Sequence, residues 1–407
     1  MLTASPAHAD PKQYTAFSTM GSDTIQAVED ALAGESNGYQ YTPIRSTGAT
    51  GNRQIAAWDA FGTGLSTCIT PKAPGATIFR PNGSGNGLKA LSRAIDGGQW
   101  GGTNCGGAGN GKAVSGLVDV ARSSKGPASG DQGTALDYVP FALDALDFAY
   151  YAPSGSPVTS LTAQQLQQIY TTSTTGTYTP VTISGKTFYV CGLQTGSGTF
   201  STWNSDLGLT TAQEANAANQ CTLQTITGGR SDGRLEEHDS AGLKAKGDAM
   251  ATAGTVVNAS SLEVIVAIGA GPFMSQWNGV APSHVATGVD LGSITDDSLA
   301  GGGANLGKPY TGTLPATPAN PASQVLTPSA TYFASTTFGR KVYNVLDDSV
   351  VNGPGNNDLK ELFVGSSSAI CSASAQQIVN LFGFVTMSSG CGDTSKKGSL
   401  IATTGGL

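Results

Sequence analysis

A short run of glycine, serine and threonine stands directly before a predicted helix at residues 194–200, and it constrains the fold more than any other part of the chain. Glycines let the backbone approach a ligand closely because they carry no Cβ. Ser197 and Thr199 add hydroxyl donors, and the helix that begins here points the positive end of its dipole at the same place. This arrangement predicts a site for an oxyanion at the start of a helix.

Two earlier segments have the same composition in the same position. Residues 21–24 precede an amphipathic run over residues 25–32, and residues 82–87 precede a second run over residues 88–95. In both runs the apolar residues recur at helical spacing. The repetition indicates an α/β chain in which several helix starts carry small polar residues.

A fourth segment, residues 118–124, has the pattern of a short buried strand that ends in a cation and two hydroxyls. In α/β sheets, ligands bind at the carboxyl ends of the strands. We therefore include Arg122 and Ser124 among the candidate anion-binding residues. Arg80 is the main alternative to Arg122 as the cation, because it lies four residues before Ser84, beside the second helix start.

The order and composition of these segments resemble the phosphate-binding receptors of phosphate ABC transporters, which have the type II periplasmic-binding-protein fold. The resemblance covers most of the chain, including residues 139–152, 161–170 and 266–269. It assigns anion binding to the residues that match the family's helix-start pattern, which are Thr24, Ile25, Ser84, Ser197, Gly198 and Thr199.

The resemblance implies two α/β domains joined by two crossing hinge strands. The first domain is predicted to consist of residues 10–150 and 264–407, and the second of residues 151–263. Closure of the domains about the hinge would bring the candidate residues of the first domain against residues 197–199 of the second.

The chain departs from the family at three positions. The family's receptors carry an aspartate where this chain has Ser124, and an arginine and an aspartate where it has Leu193 and Thr195. Arg122 lies two residues before Ser124, so its guanidinium is predicted to supply the cation instead. Three acidic residues at helix starts remain as candidates to replace the missing carboxylates: Asp23, Glu237 and Asp239.

These departures bear on selectivity. In the family, the carboxylates accept the proton of hydrogen phosphate and repel sulfate, which carries no proton. Hydroxyls at Ser124 and Thr195 can donate to either ion. Unless one of the three candidate carboxylates fills the role, the sequence predicts that phosphate is preferred over sulfate by less than about a hundredfold, or about 2.7 kcal/mol.

Charged residues make up only 12% of the chain, against ~25% in average soluble proteins, and the formal charge is -7. This balance argues against a nucleic-acid partner, which requires clustered lysine and arginine. It also opposes long-range attraction of anions, so any affinity must come from local dipoles and a few cations. We expect a monomer that binds phosphate or a similar inorganic oxyanion and needs no cofactor.

Residues 4–9 have the small residues that end a secretory signal peptide, with cleavage predicted after Ala9. Residues 1–9 are therefore excluded from the predicted fold. No stretch approaches the roughly 20 apolar residues that a membrane-spanning helix needs. Because no cysteine stands at the cleavage point for a lipid anchor, we expect a freely released periplasmic or extracellular protein.

The 6 cysteines of an exported chain predict three disulfides, although several pairings are possible. The simplest pairing is sequential, with each bridge closing a local loop: Cys68 with Cys105, Cys191 with Cys221, and Cys371 with Cys391. A metal site is not expected, because no pair has Cys-x-x-Cys spacing and the chain has only 3 histidines.

A hydrolase is the main enzymatic alternative, because residues 34–38 have the Gly-x-Ser-x-Gly form of a nucleophile elbow. Such an elbow follows a strand, whereas this segment follows a predicted helix and is interpreted as a helix C-terminal turn. The mature chain also offers only His238 and His284 as bases. We therefore expect a protein that is not an enzyme.

The resemblance implies a solute-binding protein that captures phosphate or a related oxyanion in an interdomain cleft and works with an ABC transporter permease. The alternative is a secreted or cell-envelope interaction protein that keeps the receptor fold without a transport role. The missing lipid anchor favours the alternative, and the retained serine and threonine donors favour the receptor.

Overall fold

The computed structural model describes residues 10–11, 16–47, 52–62, 65–254, 258–297 and 303–402. These residues form a mixed α/β structure, as the sequence predicts, with one sheet of 11 strands at its centre. Residues 1–9, the predicted remnant of a signal peptide, lie outside the described part of the chain.

Most strands of the described residues are short, and one of them, with 16 residues, is much longer than the rest. In chain order they are β1 (Phe17–Gly21), β2 (Glu35–Ser36), β3 (Tyr39–Gln40), β4 (Ile55–Ala57), β5 (Cys68–Ile69), β6 (Ile78–Phe79), β7 (Gln99–Gly101), β8 (Gly111–Ala113), β9 (Val120–Ser123), β10 (Leu136–Tyr151), β11 (Ser160–Thr162), β12 (Val181–Ile183), β13 (Lys186–Val190), β14 (Leu262–Gly269), β15 (Asp290–Leu291), β16 (Ser293–Asp296), β17 (Ala304–Gly307), β18 (Tyr310–Gly312), β19 (Leu326–Pro328), β20 (Gly339–Asp347), β21 (Val385–Thr386) and β22 (Lys397–Gly398).

A helix begins at or just after each of the three predicted helix starts, and further helices lie elsewhere in the chain. In chain order they are α1 (Gln26–Ala33), α2 (Ser84–Asp96), α3 (Ala163–Thr171), α4 (Gly198–Asp206), α5 (Thr211–Thr222), α6 (Ser240–Ala253), α7 (Ala270–Trp277), α8 (Ala330–Phe333), α9 (Asp348–Asn352), α10 (Asn357–Phe363) and α11 (Ala373–Leu381). Within the described ranges, none of these helices has the length and apolar character needed to cross a membrane.

The long strand β10 joins the two halves of the central sheet. The first half contains β1, β4, β9 and β20, and the second half contains β12, β13 and β14. Its first part pairs antiparallel with β20 from Leu136 to Ala145, and its last part pairs antiparallel with β14 from Leu146 to Tyr151. Eight strands follow the order β12-β13-β14-β10-β20-β9-β1-β4, and the other three strands of the sheet, β15, β21 and β22, each pair with β10. One continuous strand therefore carries the backbone from one half of the molecule into the other.

The apolar core is divided along the same line. One cluster contains Phe148, Phe188 and Trp203 and extends along the chain as far as Phe338. Two further clusters draw mainly on residues before 143 and after 341. The predicted division at residues 150 and 263 stays a prediction, and the extent of the first cluster favours a return crossing near the start of β20.

Parallel strands place the candidate residues of the first half at one edge of the sheet. Strand β1 pairs parallel with β9, and the two end side by side at Gly21 and Ser123. Gly83, at the start of α2, donates its N–H to the carbonyl of Gly21 at 2.9 Å. A Cβ on Gly83 would lie 2.6 Å from the carbonyl oxygen of Gly196, so this close approach requires glycine.

The second half of the molecule also has a pair of parallel strands with a helix start at the edge of the sheet. Strand β13 pairs parallel with β14, and α4 begins after the turn that follows β13. The side chain of Ser197 caps α4 by accepting a hydrogen bond from the N–H of Phe200 at 3.0 Å. A serine at this position therefore starts the helix and also faces the first half of the molecule.

All three sequential disulfides are present, so the predicted pairing is confirmed. The Cα atoms of the bonded cysteines lie 5.6, 5.0 and 5.9 Å apart in the pairs Cys68–Cys105, Cys191–Cys221 and Cys371–Cys391. Each bridge closes a loop within its own part of the fold. Each is expected to stabilise the folded state by roughly 3 kcal/mol through the chain entropy of the unfolded state.

The Gly-x-Ser-x-Gly segment is a helix C-terminal turn, as the sequence predicts. Gly34 caps the C-terminus of α1, and Ser36 lies in the short strand β2. The Ser36 hydroxyl is buried and donates to the carbonyl oxygen of Val280 at 3.1 Å. This serine holds a structural hydrogen bond and has no strand-to-helix elbow geometry.

Several carboxyl groups are buried in the interior with raised pKa values. Burial raises the pKa of Glu29 from 4.5 to about 7, against the opposing effects of Arg122 and of a hydrogen bond from Asn344. Burial also raises the pKa of Glu263 to about 7, although the N–H of Val158 donates to it. These groups take up protons on folding at neutral pH.

We predict that the free energy of unfolding falls as the pH rises from 5 to 8. The folded protein binds more protons than the unfolded chain between the ordinary pKa of 4.5 and the folded pKa of about 7, so stability is lost as pH rises through this window. Glu29→Gln should remove up to about 3 kcal/mol of this loss. Denaturant titrations across this pH range measure it, with the exposed Glu35→Gln as the control. An unchanged pH slope in the Glu29 variant would contradict the assignment.

Candidate anion-binding site

The serine residues of the first half meet where β1, β9 and α2 converge. The hydroxyl oxygen of Ser84 lies 3.2 Å from that of Ser124 and accepts a hydrogen bond from the Ser124 N–H at 3.0 Å. The Ser22 hydroxyl lies 3.2 Å from the Ser124 hydroxyl. All three residues are fully buried. The structure therefore brings together the predicted residues Ser84 and Ser124 and adds Ser22.

The start of α4 lies directly against this serine cluster. A Cβ added to Gly198 would stand 2.3 Å from the Ser124 hydroxyl and 2.5 Å from the Ser84 hydroxyl. A glycine is required here because any larger residue would push the two halves apart. The predicted group of Ser84, Ser124 and Gly198 is thus in contact across the interface.

The centre of the site is held by a carboxylate of the chain itself, that of Glu237. Its Oε1 accepts hydrogen bonds from the N–H of Thr24 at 3.0 Å and from the Thr24 hydroxyl at 2.5 Å, and the Ser22 hydroxyl lies 3.2 Å away. Its Oε2 accepts from the N–H of Thr199 at 3.0 Å and from the Ser197 hydroxyl. The Glu237 side chain is fully buried. The predicted anion donors Thr24, Ser197 and Thr199 therefore converge on one internal oxyanion.

The protonation of this carboxylate follows from its surroundings. Burial alone would raise the pKa of Glu237, but hydrogen bonds from Asp23, Ser197 and Thr24 and the charge of Arg340 hold that pKa well below its ordinary value. Burial and the nearby Glu237 raise the pKa of Asp23 well above its ordinary value. The two pKa values are shifted in opposite directions, so Glu237 gives up its proton more readily than Asp23.

Arg340 supplies the positive charge next to the site. It lies on β20 and is 8% exposed. Its Nε and Nη2 donate to Asp144 Oδ2 at 3.0 and 2.7 Å, and its Nη2 lies 3.4 Å from the Thr24 hydroxyl. Its Nη1 is buried and has no hydrogen-bond partner among the described residues. This arginine is not among the residues predicted from the sequence, since no glycine or serine motif marks it.

The hydrogen bonds found for the two arginines proposed from the sequence lead to other residues. The Nη2 of Arg122 donates to the carbonyl oxygen of Trp58 at 2.6 Å, and burial lowers the pKa of this guanidinium against the charges of Asp30 and Glu29. Arg80 forms an ion pair with Asp10 at 2.7 Å. The hydrogen bonds found for these two arginines in the described ranges do not reach the serine cluster, so the role of Arg122 in anion binding stays a prediction.

The remaining candidates occupy the border of the site. Ile25 is fully buried at the start of α1, and Asp239 caps α6 by accepting from the N–H of Gly242 at 2.7 Å. Thr195 is exposed, away from the buried donors. Of the three carboxylates that the sequence offered as replacements, Glu237 is the one that contacts the donors. It reaches them from a segment that is distant in the sequence from all of these donors.

His238 contacts an acidic residue and a second histidine at the border of the site. Its Nδ1 lies 3.0 Å from Asp23 Oδ2, and its ring contacts that of His284 at 4.9 Å between centroids. Among the described residues, no group of histidine, cysteine and acidic side chains has the arrangement of a metal site.

Comparison with protein-family models finds no match, and neither does comparison with curated proteins. Among solved structures, the chain is similar to a putative phosphate ABC transporter substrate-binding protein from Clostridium perfringens with bound phosphate, at 14% identity and a TM-score of 0.44, covering 91% of this chain and 99% of that one. It is also similar to an ABC-type phosphate transport receptor from Vibrio cholerae, at 15% identity and a TM-score of 0.42, covering 91% and 100%.

We predict that Arg340, and not Arg80, sets the charge state of the site. Replacing both members of the buried ion pair, as Arg340→Gln with Asp144→Asn, avoids leaving Asp144 as a buried charge without its partner. The pKa of Glu237 should then rise by about one unit, equivalent to about 1.4 kcal/mol. Carbon-13 NMR of the Glu237 carboxyl group in an acid titration measures this shift. An unchanged pKa of Glu237 in the double variant, or an equal rise of this pKa in Arg80→Gln, would show that Arg340 does not set the charge state of the site.

Proposed function

We propose that the protein binds phosphate, or a related tetrahedral oxyanion, at the position that the Glu237 carboxylate holds. The observation that carries the proposal is the convergence of donors from two helix starts on this one carboxylate. The N–H groups of Thr24 and Thr199 lie at 3.0 Å from its two oxygens. Carboxylates and phosphates accept the same charge-assisted hydrogen bonds. Donors arranged for one of these oxyanions therefore suit the other.

Unused donors around Glu237 fit an anion with more than two oxygens. The hydroxyl of Thr199 and the Nη1 of Arg340 are buried and have no hydrogen-bond partner among the described residues. The hydroxyls of Ser84 and Ser124 bond to each other, so they can turn toward a ligand without losing solvation. A tetrahedral ion in place of the carboxylate would give these groups an acceptor, which a buried polar atom needs.

In this proposal, the affinity for an anion comes from charged and polar groups at the site and not from the net charge of the chain. The chain has a formal charge of -7, which repels anions at long range. At the site, Arg340 and the N-terminal ends of α1 and α4 face the same small volume. Hydrogen bonds to a charged group contribute about 1.5 to 3 kcal/mol each. A few such bonds outweigh the weak and screened repulsion of distant surface charges.

We propose further that the site distinguishes phosphate from sulfate by means of Glu237. The backbone N–H of Glu237 donates to Asp23 Oδ2 at 3.3 Å, and the neighbouring Glu236 accepts from Arg230 at 2.8 Å. These contacts keep a displaced Glu237 carboxylate close to a bound ion. Hydrogen phosphate can donate its proton to that carboxylate, whereas sulfate is repelled. This proposal replaces the narrow selectivity expected from Ser124 and Thr195.

The wider role that we propose is that of a monomeric solute receptor outside the cytoplasm that delivers the anion to an ABC transporter permease. Three disulfides support an oxidising compartment, since such bonds are rare in the cytosol. A binding role rather than catalysis is supported by the hydroxyls of Thr24 and Ser197, which are directed to a carboxylate.

A second candidate function follows from the occupied state of the site. Because Glu237 already satisfies the donors of Thr24 and Thr199, the two halves are held together without an external anion. A chain in this state would suit a secreted or envelope interaction protein that keeps the receptor fold. Absence of binding to phosphate, sulfate and arsenate in titration calorimetry would favour this second function.

We predict that Ser84→Ala weakens phosphate binding at least tenfold, which is about 1.4 kcal/mol, because it removes a buried donor. Ser92→Ala is a matched control on the same helix. Ser92 is equally buried, but its hydroxyl donates to the carbonyl oxygen of Leu88 at 2.7 Å. Titration calorimetry measures both variants. Equal affinities for the two variants would place the ligand away from α2.

We also predict that the parent protein prefers phosphate over sulfate by more than about a hundredfold, or about 2.7 kcal/mol. Glu237→Gln should narrow this ratio at least tenfold, because the amide neither repels sulfate nor accepts the phosphate proton as a carboxylate does. Competition titrations with the two ions give the ratio. A ratio that is the same in parent and variant would show that another group sets the selectivity.

A further inference from the structure

We propose that Glu237 is an internal ligand that holds the two halves of the protein closed when no external anion is bound. This inference rests on the proposed function in one respect only, namely that phosphate can replace the Glu237 side chain at the site. The closed state itself is inferred from contacts within the chain.

The Glu237 carboxylate bridges two separate parts of the fold. Its Oε1 contacts Ser22 and Thr24, which follow β1 in the first half. Its Oε2 contacts Ser197 and Thr199, at the start of α4 in the second half. A bound anion in a two-lobed receptor makes the same kind of bridge, with donors from both sides. Glu237 thus performs from inside the chain what a ligand performs from outside.

The segment that presents Glu237 is anchored on the second half. Its neighbour Leu235 is buried in the same apolar cluster as Leu243 and donates its N–H to the carbonyl oxygen of Gly192 at 2.8 Å. The carbonyl oxygen of Leu235 accepts from the N–H of Gln194 at 3.0 Å. Glu237 therefore extends into the first half from a segment that is held on the second half. Its carboxylate can hold the two halves together, and we call this set of contacts the latch.

Other contacts across the interface are single hydrogen bonds. The N–H of Gly85 donates to the carbonyl oxygen of Gly196 at 2.9 Å, and Asn82 donates to Glu236 at 3.0 Å. Lys125 donates to the Ser201 hydroxyl at 3.1 Å. Glu237 instead accepts three hydrogen bonds from the first half, from Ser22 and from the N–H and hydroxyl of Thr24. Glu237 is consequently the group whose loss should most weaken closure.

Occupation by Glu237 also means that an external anion must compete for the site. A tethered ligand acts at a high effective concentration, so it lowers the apparent affinity for a free ion. Apparent affinity falls in proportion to the fraction of molecules in which the site is empty. The chain can in this way restrict binding to conditions in which the anion is abundant.

The test compares the dimensions of anion-free protein in solution. Small-angle X-ray scattering should give a radius of gyration near the value of about 22 Å for a compact chain of this length in the parent, with or without inorganic phosphate. Glu237→Gln and Glu237→Ala should give a larger radius without phosphate and the parent radius after phosphate is added. Thermal melting checks that both variants are folded.

Glu263→Gln is the matched control for the loss of a buried carboxylate. Glu263 is fully buried, and its carboxylate accepts from the N–H of Val158 in the same half of the molecule. This variant should keep the parent radius. Glu237 variants as compact as the parent without any anion would overturn the latch. If they expand but phosphate neither contracts them nor binds, the latch stands and the proposed phosphate function falls.

Discussion

A buried negative charge has to be surrounded by donors, and this requirement at Glu237 organises the centre of the molecule. An ionised carboxylate that is fully removed from water is stable only where hydrogen bonds replace the lost hydration. Here Thr24 and Thr199 provide backbone donors from two helix starts, and Arg340 provides the nearest positive charge. Because these groups come from both halves of the chain, satisfying this single charge also brings the halves together.

The fold makes such a convergence possible through its strand arrangement. Parallel pairing places the ends of β1 and β9 beside each other, and α1 and α2 begin at the same edge of the sheet. The continuous strand β10 connects the two halves, since it pairs with β20 and with β14. Glycines at 83 and 198 then allow the backbones to meet at distances that a Cβ would prevent. The sheet and these glycines thus position the donors without the help of a bound ligand.

Local sequence patterns were sufficient to find most of the donors. Thr24, Ser84, Ser197 and Thr199 could be predicted because each stands beside a helix start that has its own signature of small polar residues followed by apolar spacing. Sequential cysteine pairing was predictable for a similar reason, since each bridge spans neighbouring chain segments. Arg340 and Glu237 could not be assigned in this way, because they reach the site through long-range topology. An arginine in a late strand and one of several acids at helix starts look the same in sequence whether or not they face a cleft.

We infer that the Glu237 carboxylate occupies the position of an exchangeable oxyanion. A crystal structure of the protein grown with arsenate tests this inference, because the anomalous scattering of arsenic locates the ion without ambiguity. We expect an arsenic peak between the N–H groups of Thr24 and Thr199, with the Glu237 side chain displaced from both. An unchanged Glu237 carboxylate at saturating arsenate, with arsenic bound elsewhere or absent, would contradict it.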